Sequence, residues 1–431
     1  MALFSTAKRV RNAPSIRPRR LLTGIMLSFL ITIPVFAGEN LKADMIIVGP
    51  GDPLYTYWGH IGIVIEDLDS GESLFYDFGN FSFYSDHFYR DFALGRMTYL
   101  ALKTPTDAFV RYSLTEDRDL TEYPLNLGQS ELEELNRVLR WWVLPENREY
   151  LYDYFQNNCS TVIRDILDNV TDGQLKAATE GRPDITFRHY ARTGASSSIA
   201  AEFMLHFLLG PSADVPVDDW DMMFLPQRVA DESMKLSYVG RDGVRRTLAG
   251  EPKSLKKSTR PPVPDSPRTL WPVSAAFGLA FAILWTLTGV PFRRTEGAGR
   301  VLSAVARTAI ILIVGLPGAL SGFIMAFTDH FAGHGNLNLW PAFPTILLGL
   351  VPLCMASGRG TADKRRRGEV ILSWFWTVNL AGLAAAMILR ATGAVVQDCY
   401  AFWAFYGPLA FVGSRPGLML REKMAGFLRN R

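Results

Sequence analysis

The hydrophobic pattern of the chain changes near residue 270. Upstream, short apolar runs alternate with polar turns, whereas downstream come long and mostly apolar segments. Segments of about twenty apolar residues are typical of membrane-spanning helices. Four of them lie near 270–291, 308–327, 339–357 and 370–389, and a fifth, from Cys399 to about Leu420, is interrupted by Arg415 and Pro416. The sequence therefore predicts an all-α transmembrane bundle of about five helices over residues 271–420.

The N-terminus carries a different apolar segment. Positions 1–20 contain several Lys and Arg residues and no acid, and an apolar run from Leu21 to Phe36 ends at Val35-Phe36-Ala37. This arrangement is typical of a secretory signal peptide. We expect residues 1–37 to be the signal peptide, with cleavage after Ala37. An uncleaved membrane anchor is the alternative, and the residues that follow are exported in either case.

The stretch between these apolar parts, residues 38–250, has the pattern of an α+β domain. Its alternation predicts strands at Lys42–Pro50, Ile61–Glu66 and Ser73–Phe78, the last two joined as an antiparallel hairpin. A capping box of Ser130 and Glu133 predicts a helix running to about Trp142. A second helix is predicted after Asn158, with a buried stripe. The stripe consists of Val162, Ile163, Ile166 and Leu167.

Charge indicates how the chain is oriented in a membrane. The formal net charge is only +3, and much of the basic excess lies in the signal region and in segments 293–307, 359–367 and 421–431. Basic loops face the cytoplasm under the positive-inside rule. This places 38–270 and the loops 328–338 and 391–398 on the outer side. Residues 251–270 are predicted to be a basic, proline-rich linker and 421–431 a cytoplasmic tail, and no nucleic-acid partner is expected.

Candidate chemistry centres on a cysteine and a histidine. Cys159 is the only cysteine of the exported part, and the N-cap Asn158 places it at the first helical position. The N-terminal end of a helix favours the thiolate form of a cysteine. His60 stands at the start of a predicted strand, so the pair suits a nucleophile and its general base. A buried structural cysteine is the alternative, although the polar flanks Asn157 and Ser160 count against it.

Further residues are candidates for supporting this pair. Counting outward from the hairpin turn brings His60 opposite residues 77–80, and Asp77 is the preferred third catalytic residue. Side-chain alternation leaves Tyr76 and Asn80 as alternatives. Backbone N–H groups near Cys159 and Ser160 are expected to stabilise an oxyanion, with a donor elsewhere as the alternative.

The order of histidine before cysteine resembles the circularly permuted NlpC and LRAT-type members of the papain-like superfamily, which carry acyl groups on the cysteine. More closely, the chain resembles the Lnb family of bacterial membrane proteins. The motifs that carry this resemblance are Trp58-Gly59-His60, Tyr76-Asp77-Phe78-Gly79, Asn158-Cys159-Ser160-Thr161, Trp220-Asp221-Met222-Met223-Phe224-Leu225-Pro226, Thr328-Asp329-His330 and Asn336-Leu337-Asn338-Leu339-Trp340-Pro341.

The resemblance implies a lipoprotein N-acyltransferase of the bacterial inner membrane, with a permuted papain-like catalytic domain on the periplasmic side. The acyl donor would be a membrane phospholipid and the acceptor the N-terminal amine of a lipoprotein. Asp329, His330, Asn336 and Asn338, in an outer loop, are expected to contact substrate. Asp329, His330 and His334 also invite a metal site, but Gly333 and Gly335 indicate a loop and a further ligand is not evident, so no metal is expected.

Other functions use the same residues. The main alternative is a membrane-tethered cysteine peptidase or amidase that acts on cell-wall peptide, which would need a polar cleft instead of an apolar one open toward the bilayer. A non-catalytic sensor or scaffold is a third, opposed by intact His60 and Cys159. The aromatic segment Phe81–Tyr89 is expected to pack in the core, with acyl binding as its alternative role. No nucleotide-binding fingerprint is present, so no cofactor is expected.

Overall fold

The computed structural model describes residues 40–82, 87–181, 185–289 and 298–429. The predicted signal peptide, 1–37, lies outside the described residues. So do residues 83–86 of the aromatic segment and Arg293 and Arg294 of the basic segment 293–307. The described residues belong to one compact unit.

A sheet of seven strands organises the exported part of the chain, and every pair of neighbours is antiparallel. The strands are β1 (Leu41–Val48), β2 (His60–Asp67), β3 (Ser73–Asn80), β4 (Thr98–Pro105), β5 (Leu120–Pro124), β6 (Glu149–Leu151), β7 (Ile185–Thr186), β8 (Pro216–Val217), β9 (Ser237–Val239), β10 (Arg245–Thr247) and β11 (Lys253–Lys256). The large sheet has the order β11-β5-β1-β2-β3-β4-β6, and β7–β8 and β9–β10 form two small ribbons.

The three predicted strands are confirmed as β1, β2 and β3, and His60 is the first residue of β2. The predicted linker boundary is wrong at its start. Lys253–Lys256 pairs with β5 as the edge strand β11, so the sheet continues into the segment assigned to the linker. A lysine-rich edge strand is a common way to protect a sheet edge, which explains why its composition resembles a linker.

Helices cover both parts of the chain. Those of the first part are α1 (Phe88–Leu94), α2 (Thr106–Ser113), α3 (Gln129–Trp142), α4 (Cys159–Val170), α5 (Gln174–Thr179), α6 (Phe187–Gly194), α7 (Ile199–Leu208), α8 (Asp219–Met222) and α9 (Pro226–Lys235). Those of the second are α10 (Trp271–Thr288), α11 (Ala298–Phe327), α12 (Leu350–Ser357), α13 (Ala362–Ala391), α14 (Tyr400–Gly413) and α15 (Arg415–Arg429). The α+β domain and the helical region that follows it match the predicted fold class.

The main core lies between one face of the sheet and helices α3, α4 and α9. All four residues of the predicted α4 stripe are buried there, against Ile61 and Ile63 of β2. The opposite face of the sheet is covered by α2, where Phe109 stacks on Phe75 with ring centroids 3.7 Å apart. The alternating pattern of β2 and β3 therefore serves two different layers, and α4 is held against the middle of the sheet.

Helix α3 ends at Trp142 as predicted, but its predicted capping box is wrong. The N-cap is Gly128, and the Ser130 hydroxyl donates to the carboxylate of Glu131. That carboxylate in turn accepts the Arg241 N–H at 2.6 Å. A tertiary contact between α3 and the β9–β10 turn thus takes the place of the local motif.

Four segments of the described chain are long and apolar enough to cross a membrane: Trp271–Thr288, Ala298–Phe327, Leu337–Ser357 and Ala362–Ala391. The predicted fifth span is not one helix. It divides at Ser414, whose backbone is extended, into α14 and α15. With a rise of about 1.5 Å per residue, α14 alone is shorter than the roughly 30 Å hydrocarbon core of a bilayer.

The loops that the topology places outside contact the exported domain. The Asp329 N–H donates to the Leu94 carbonyl at 2.8 Å, and the Gln397 amide donates to the Leu209 carbonyl at 3.2 Å. Buried ion pairs lie nearby, with Arg188 bound to Asp214 at 2.8 Å. The two loop contacts agree with the placement of the domain and both loops on one side of the membrane, which stays a prediction.

Candidate active site

Cys159 is the first residue of α4, and the local sequence fixes it there. The Asn158 side-chain oxygen accepts the N–H groups of Ser160 and Thr161 at 2.8 and 3.0 Å, while the Thr161 hydroxyl accepts the Asn158 N–H at 2.8 Å. This reciprocal capping confirms the predicted N-cap. The Asn158 amide also donates to the carbonyls of Tyr154 and Phe224, so the helix start is tied to two loops.

Strands β2 and β3 bring the imidazole to a carboxylate. Their register places Asp77 opposite Gly62, two residues along from His60. The His60 Nε2 lies 2.7 Å from the Asp77 carboxylate, which also accepts the Gly79 N–H at 2.8 Å. Both side chains are about one-fifth exposed. The carboxylate therefore orients the ring and leaves its other nitrogen for a second partner.

Electrostatics link the histidine to the cysteine as well as to Asp77. Burial disfavours the charged imidazole, but the charges of Asp77 and Cys159 and hydrogen bonds to both outweigh it, and raise the pKa of His60 to about 10. Burial likewise disfavours the Asp77 carboxylate, yet His60 and the Gly79 N–H hold its pKa below the ordinary value. This arrangement favours the charged imidazolium of His60 between Asp77 and Cys159.

The two expected oxyanion donors differ in availability. The Ser160 N–H is already bound to Asn158. Within the described part of the chain, the Cys159 N–H has no acceptor. The Ser160 hydroxyl lies 3.9 Å from the Cys159 sulfur. Of the predicted pair, only the Cys159 N–H is therefore free to receive an oxyanion.

The alternatives for the third residue lie differently. Tyr76 is 1% exposed and belongs to the main core, on the side of the sheet that faces the helices. The β3–β4 pairing is irregular between Asp77 and Asn80. Asp77 forms the hydrogen bond to His60 described above, so geometry favours the residue preferred from the sequence.

Aromatic rings extend from the cysteine to the membrane part. Burial raises the pKa values of Tyr99, Tyr150 and Tyr152, and the charge of Cys159 contributes to each shift. Tyr99 and Tyr152 stack at 4.0 Å, and Tyr154 stacks on His330 at 6.0 Å. Seven rings form a closed circuit, here called the aromatic cluster. The centroids of neighbouring rings in it lie no more than 6.3 Å apart. Its members are Phe81, Phe88, Phe92, Tyr99, Tyr152, Tyr154 and His330.

The outer-loop residues separate into two groups. Asp329 pairs with Arg96 at 2.7 Å, and the His330 ring bonds the Phe92 carbonyl at 2.9 Å, so both lie beside α1 and the aromatic cluster. Asn336 and Asn338 are fully buried, and both donate to the Phe207 carbonyl. The expectation that these two asparagines contact substrate is not supported by this structure, because their amides join the loop to α7.

Two residues of the site were not found by sequence reasoning. Gly79 lies under the imidazole, and Arg96 binds Asp329 across 233 positions of the chain. Gly79 belongs to the motif that begins at Tyr76, but its position under the imidazole depends on the strand register. Among the described residues, no group of three or more His, Cys, Asp and Glu side chains is placed to hold a metal ion.

Alanine at Gly79 is expected to displace the imidazole. Its Cβ would lie 2.5 Å from His60 Cε1, closer than non-bonded carbons approach. We expect the rate of Cys159 alkylation by iodoacetamide at neutral pH to fall about 10-fold, because the thiolate loses its cationic partner. Mass spectrometry of the Cys159 peptide measures it. Gly426→Ala is the control, since a Cβ there meets no atom within 4 Å and its backbone is helical. An unchanged rate in Gly79→Ala would contradict the geometry.

Removing the cap is expected to destabilise α4. Asn158→Ala leaves two buried N–H groups and two carbonyls without their partner, for an expected loss of about 2 kcal/mol in the free energy of unfolding. Chemical unfolding measures this loss, and Gln156→Ala, an exposed neighbour, should change stability by less than about 0.5 kcal/mol. Equal effects of the two substitutions would show that the cap does not hold the helix start.

A known protein family matches the first part of the chain. Residues 36–193, which include His60, Asp77 and Cys159, match the family described as the Lnb N-terminal periplasmic domain. No curated protein and no solved structure matches the chain. With the four membrane-capable helices, the match indicates a membrane protein with an extracytoplasmic domain.

Proposed function

Because the chain has an Lnb-type architecture, with a periplasmic domain at residues 36–193 ahead of apolar helices, we propose that it is a thiol-dependent lipoprotein N-acyltransferase of the bacterial inner membrane. It moves a fatty acyl chain from a phospholipid, through a thioester on Cys159, to the N-terminal amine of a lipoprotein. The observation that carries this proposal is the Cys159–His60–Asp77 arrangement beside an aromatic surface that reaches the membrane part.

In the first half-reaction the Cys159 thiolate attacks an ester carbonyl of the donor lipid. The C–S bond forms, the ester C–O bond breaks, and the His60 imidazolium gives its proton to the leaving lysolipid hydroxyl. The Cys159 N–H donates to the oxyanion of the tetrahedral intermediate. Asp77 keeps the ring oriented and stabilises its positive charge throughout.

In the second half-reaction the neutral amine of the acceptor attacks the thioester. The N–C bond forms, the C–S bond breaks, and His60 takes the amine proton, which restores the thiolate–imidazolium pair. The products are an amide on the lipoprotein and free enzyme. No metal or cofactor takes part in either half-reaction.

The surroundings of Cys159 favour an acyl substrate over a peptide. Tyr99 is 9% exposed, and Cys159 itself packs against the main core. The aromatic cluster continues from there to His330, directly after the end of α11 at Phe327. Phe92, Phe327 and Phe331 are largely exposed, which suits contact with acyl chains at the membrane surface.

The test is an assay with purified full-length protein, a phospholipid and a diacylated lipopeptide that has a free N-terminal amine. Mass spectrometry should show the peptide gaining one acyl mass as lysophospholipid appears in equal amount. A parallel reaction with cell-wall peptide should leave that peptide intact. If instead the lipopeptide is unchanged and the cell-wall peptide is cleaved, the protein is a peptidase or amidase.

A further inference from the structure

A second cluster of charged side chains lies at the opposite end of the membrane helices. Arg307 on α11 precedes the outer end of that helix by roughly twenty residues, about 30 Å along its axis. Glu369 lies near the start of α13, close to the basic segment 359–367, and Arg421 lies on α15. All three are buried, with 1%, 2% and 4% of their surfaces exposed. The cluster has no part in the chemistry of Cys159.

Among the described residues, this cluster holds two buried guanidinium groups and one buried carboxylate. Arg307 forms a two-pronged ion pair with Glu369, one bond of which measures 2.9 Å, and its guanidinium lies 4.1 Å from the centroid of the Trp285 ring. Both oxygens of the Glu369 carboxylate accept from Arg307. Arg421 adds a second guanidinium near the same carboxylate, and Glu422, which pairs with the exposed Arg366, is a further acid near it.

Several buried donors of the cluster lack acceptors. Within the described part of the chain, all three guanidinium nitrogens of Arg421 are buried without a hydrogen-bond partner. The same holds for Arg307 Nε and for the indole nitrogens of Trp285 and Trp376, whose rings contact at 5.0 Å. Arg421 Nη1 lies 2.6 Å from where a Cβ on Gly289 would be, so a side chain at that position would displace it. Six donors therefore remain where burial makes an unpaired donor costly.

We propose that Arg421, Arg307, Trp285 and Trp376 form an anion-binding site, here called the Arg421 site, for a phosphate group. A buried guanidinium with no acceptor among the described residues is stabilised by a bound anion, and its planar fork of N–H donors matches the paired oxygens of a phosphate. The ligand is the phosphodiester of an anionic phospholipid in the cytoplasmic leaflet, or inorganic phosphate. The position favours the lipid, because the predicted cytoplasmic segments around the site are basic and the neighbouring helices are apolar.

The test uses delipidated full-length protein and three variants. Native mass spectrometry compares retention of phosphatidylglycerol with that of phosphatidylcholine, and thermal unfolding is followed with and without inorganic phosphate. We expect the wild type to retain phosphatidylglycerol at least ~10-fold better than Arg421→Gln. Lys423→Gln, an exposed cation on the same helix, is the matched control and should behave as the wild type. A thermal shift with inorganic phosphate, lost in Arg421→Gln, would identify free phosphate as the ligand.

The proposal is overturned if Arg421→Gln binds both lipids and inorganic phosphate as well as the wild type does. If Arg421→Gln does not fold, Arg421→Lys decides, because it keeps the charge and loses the planar fork. A loss of at least ~3-fold in phosphatidylglycerol or phosphate binding supports the site, and unchanged binding contradicts it. Since acyl transfer is not the readout, the result stands independently of the proposed function.

Discussion

Replacing Cys159 with alanine is expected to lower the rate of N-acyl transfer by at least ~10³-fold, because the thioester cannot form without the sulfur. The substitution should barely affect folding, since Cys159 is only partly buried and its neighbours Asn158 and Thr161 hold the helix start. The same assay of lipopeptide acylation measures the loss, and thermal unfolding confirms that the variant is folded.

The matched control for this variant is Cys354→Ala. Cys354 is a free and exposed cysteine of the membrane part, so its loss removes a thiol without touching the site. We expect activity within about 2-fold of the wild type, as for a surface substitution. A Cys159→Ala protein that still acylates the lipopeptide would exclude Cys159 as the nucleophile. An inactive Cys354→Ala protein would show that the loss of activity is not specific to Cys159.

Replacing Asp77 with asparagine is expected to cost about 10³-fold in the rate of acyl transfer. The carboxylate is the largest of the influences that favour the charged form of His60, whose pKa is raised to about 10 against the effect of burial. An amide has no charge, so the pKa of His60 should fall and the thiolate–imidazolium pair should be lost at lower pH. The plot of rate against pH should shift with it.

Stability should respond to the same substitution. Between its ordinary pKa of 6.5 and the folded value of about 10, His60 binds a proton more tightly in the folded protein than in the unfolded chain. The contribution of His60 to the free energy of unfolding should therefore be largest below pH 6.5, and should fall as the pH rises toward 10. Asp77→Asn should flatten this fall, whereas Asp69→Asn, an exposed turn residue of the same hairpin, should not. A pH profile identical to the wild type would contradict the role of Asp77.

The parts of the site that depend on neighbouring residues could be predicted from the sequence. Asn158 as a cap and Cys159 at the helix start depend on residues close together in the chain, and so does the β2–β3 hairpin that sets His60 and Asp77. The choice of Asp77 over Tyr76 needed the register, because a shift by one residue sends a side chain to the other face of the sheet. The sequence motif alone leaves both Asp77 and Tyr76 as candidates for the third catalytic residue.

Contacts between distant segments could not be predicted from the sequence. The pairing of β11 with β5 and the Arg96–Asp329 ion pair join residues more than a hundred positions apart, and no local pattern encodes them. The capping box at Ser130 failed for the same reason, since Glu131 binds the distant Arg241 N–H. No local pattern shows that the amides of Asn336 and Asn338 donate to the Phe207 carbonyl of α7, and their contact with substrate stays a prediction.

The most direct test of the account is to trap the acyl-enzyme. Protein incubated with a phospholipid labelled in its acyl chain, and without acceptor, should carry one acyl mass on the Cys159 peptide, released by neutral hydroxylamine as a thioester is. Adding the lipopeptide should move that label to the peptide's N-terminal amine within one turnover. Label found on no residue or on one other than Cys159, or label that stays on Cys159 when the acceptor is added, would contradict the proposed transfer.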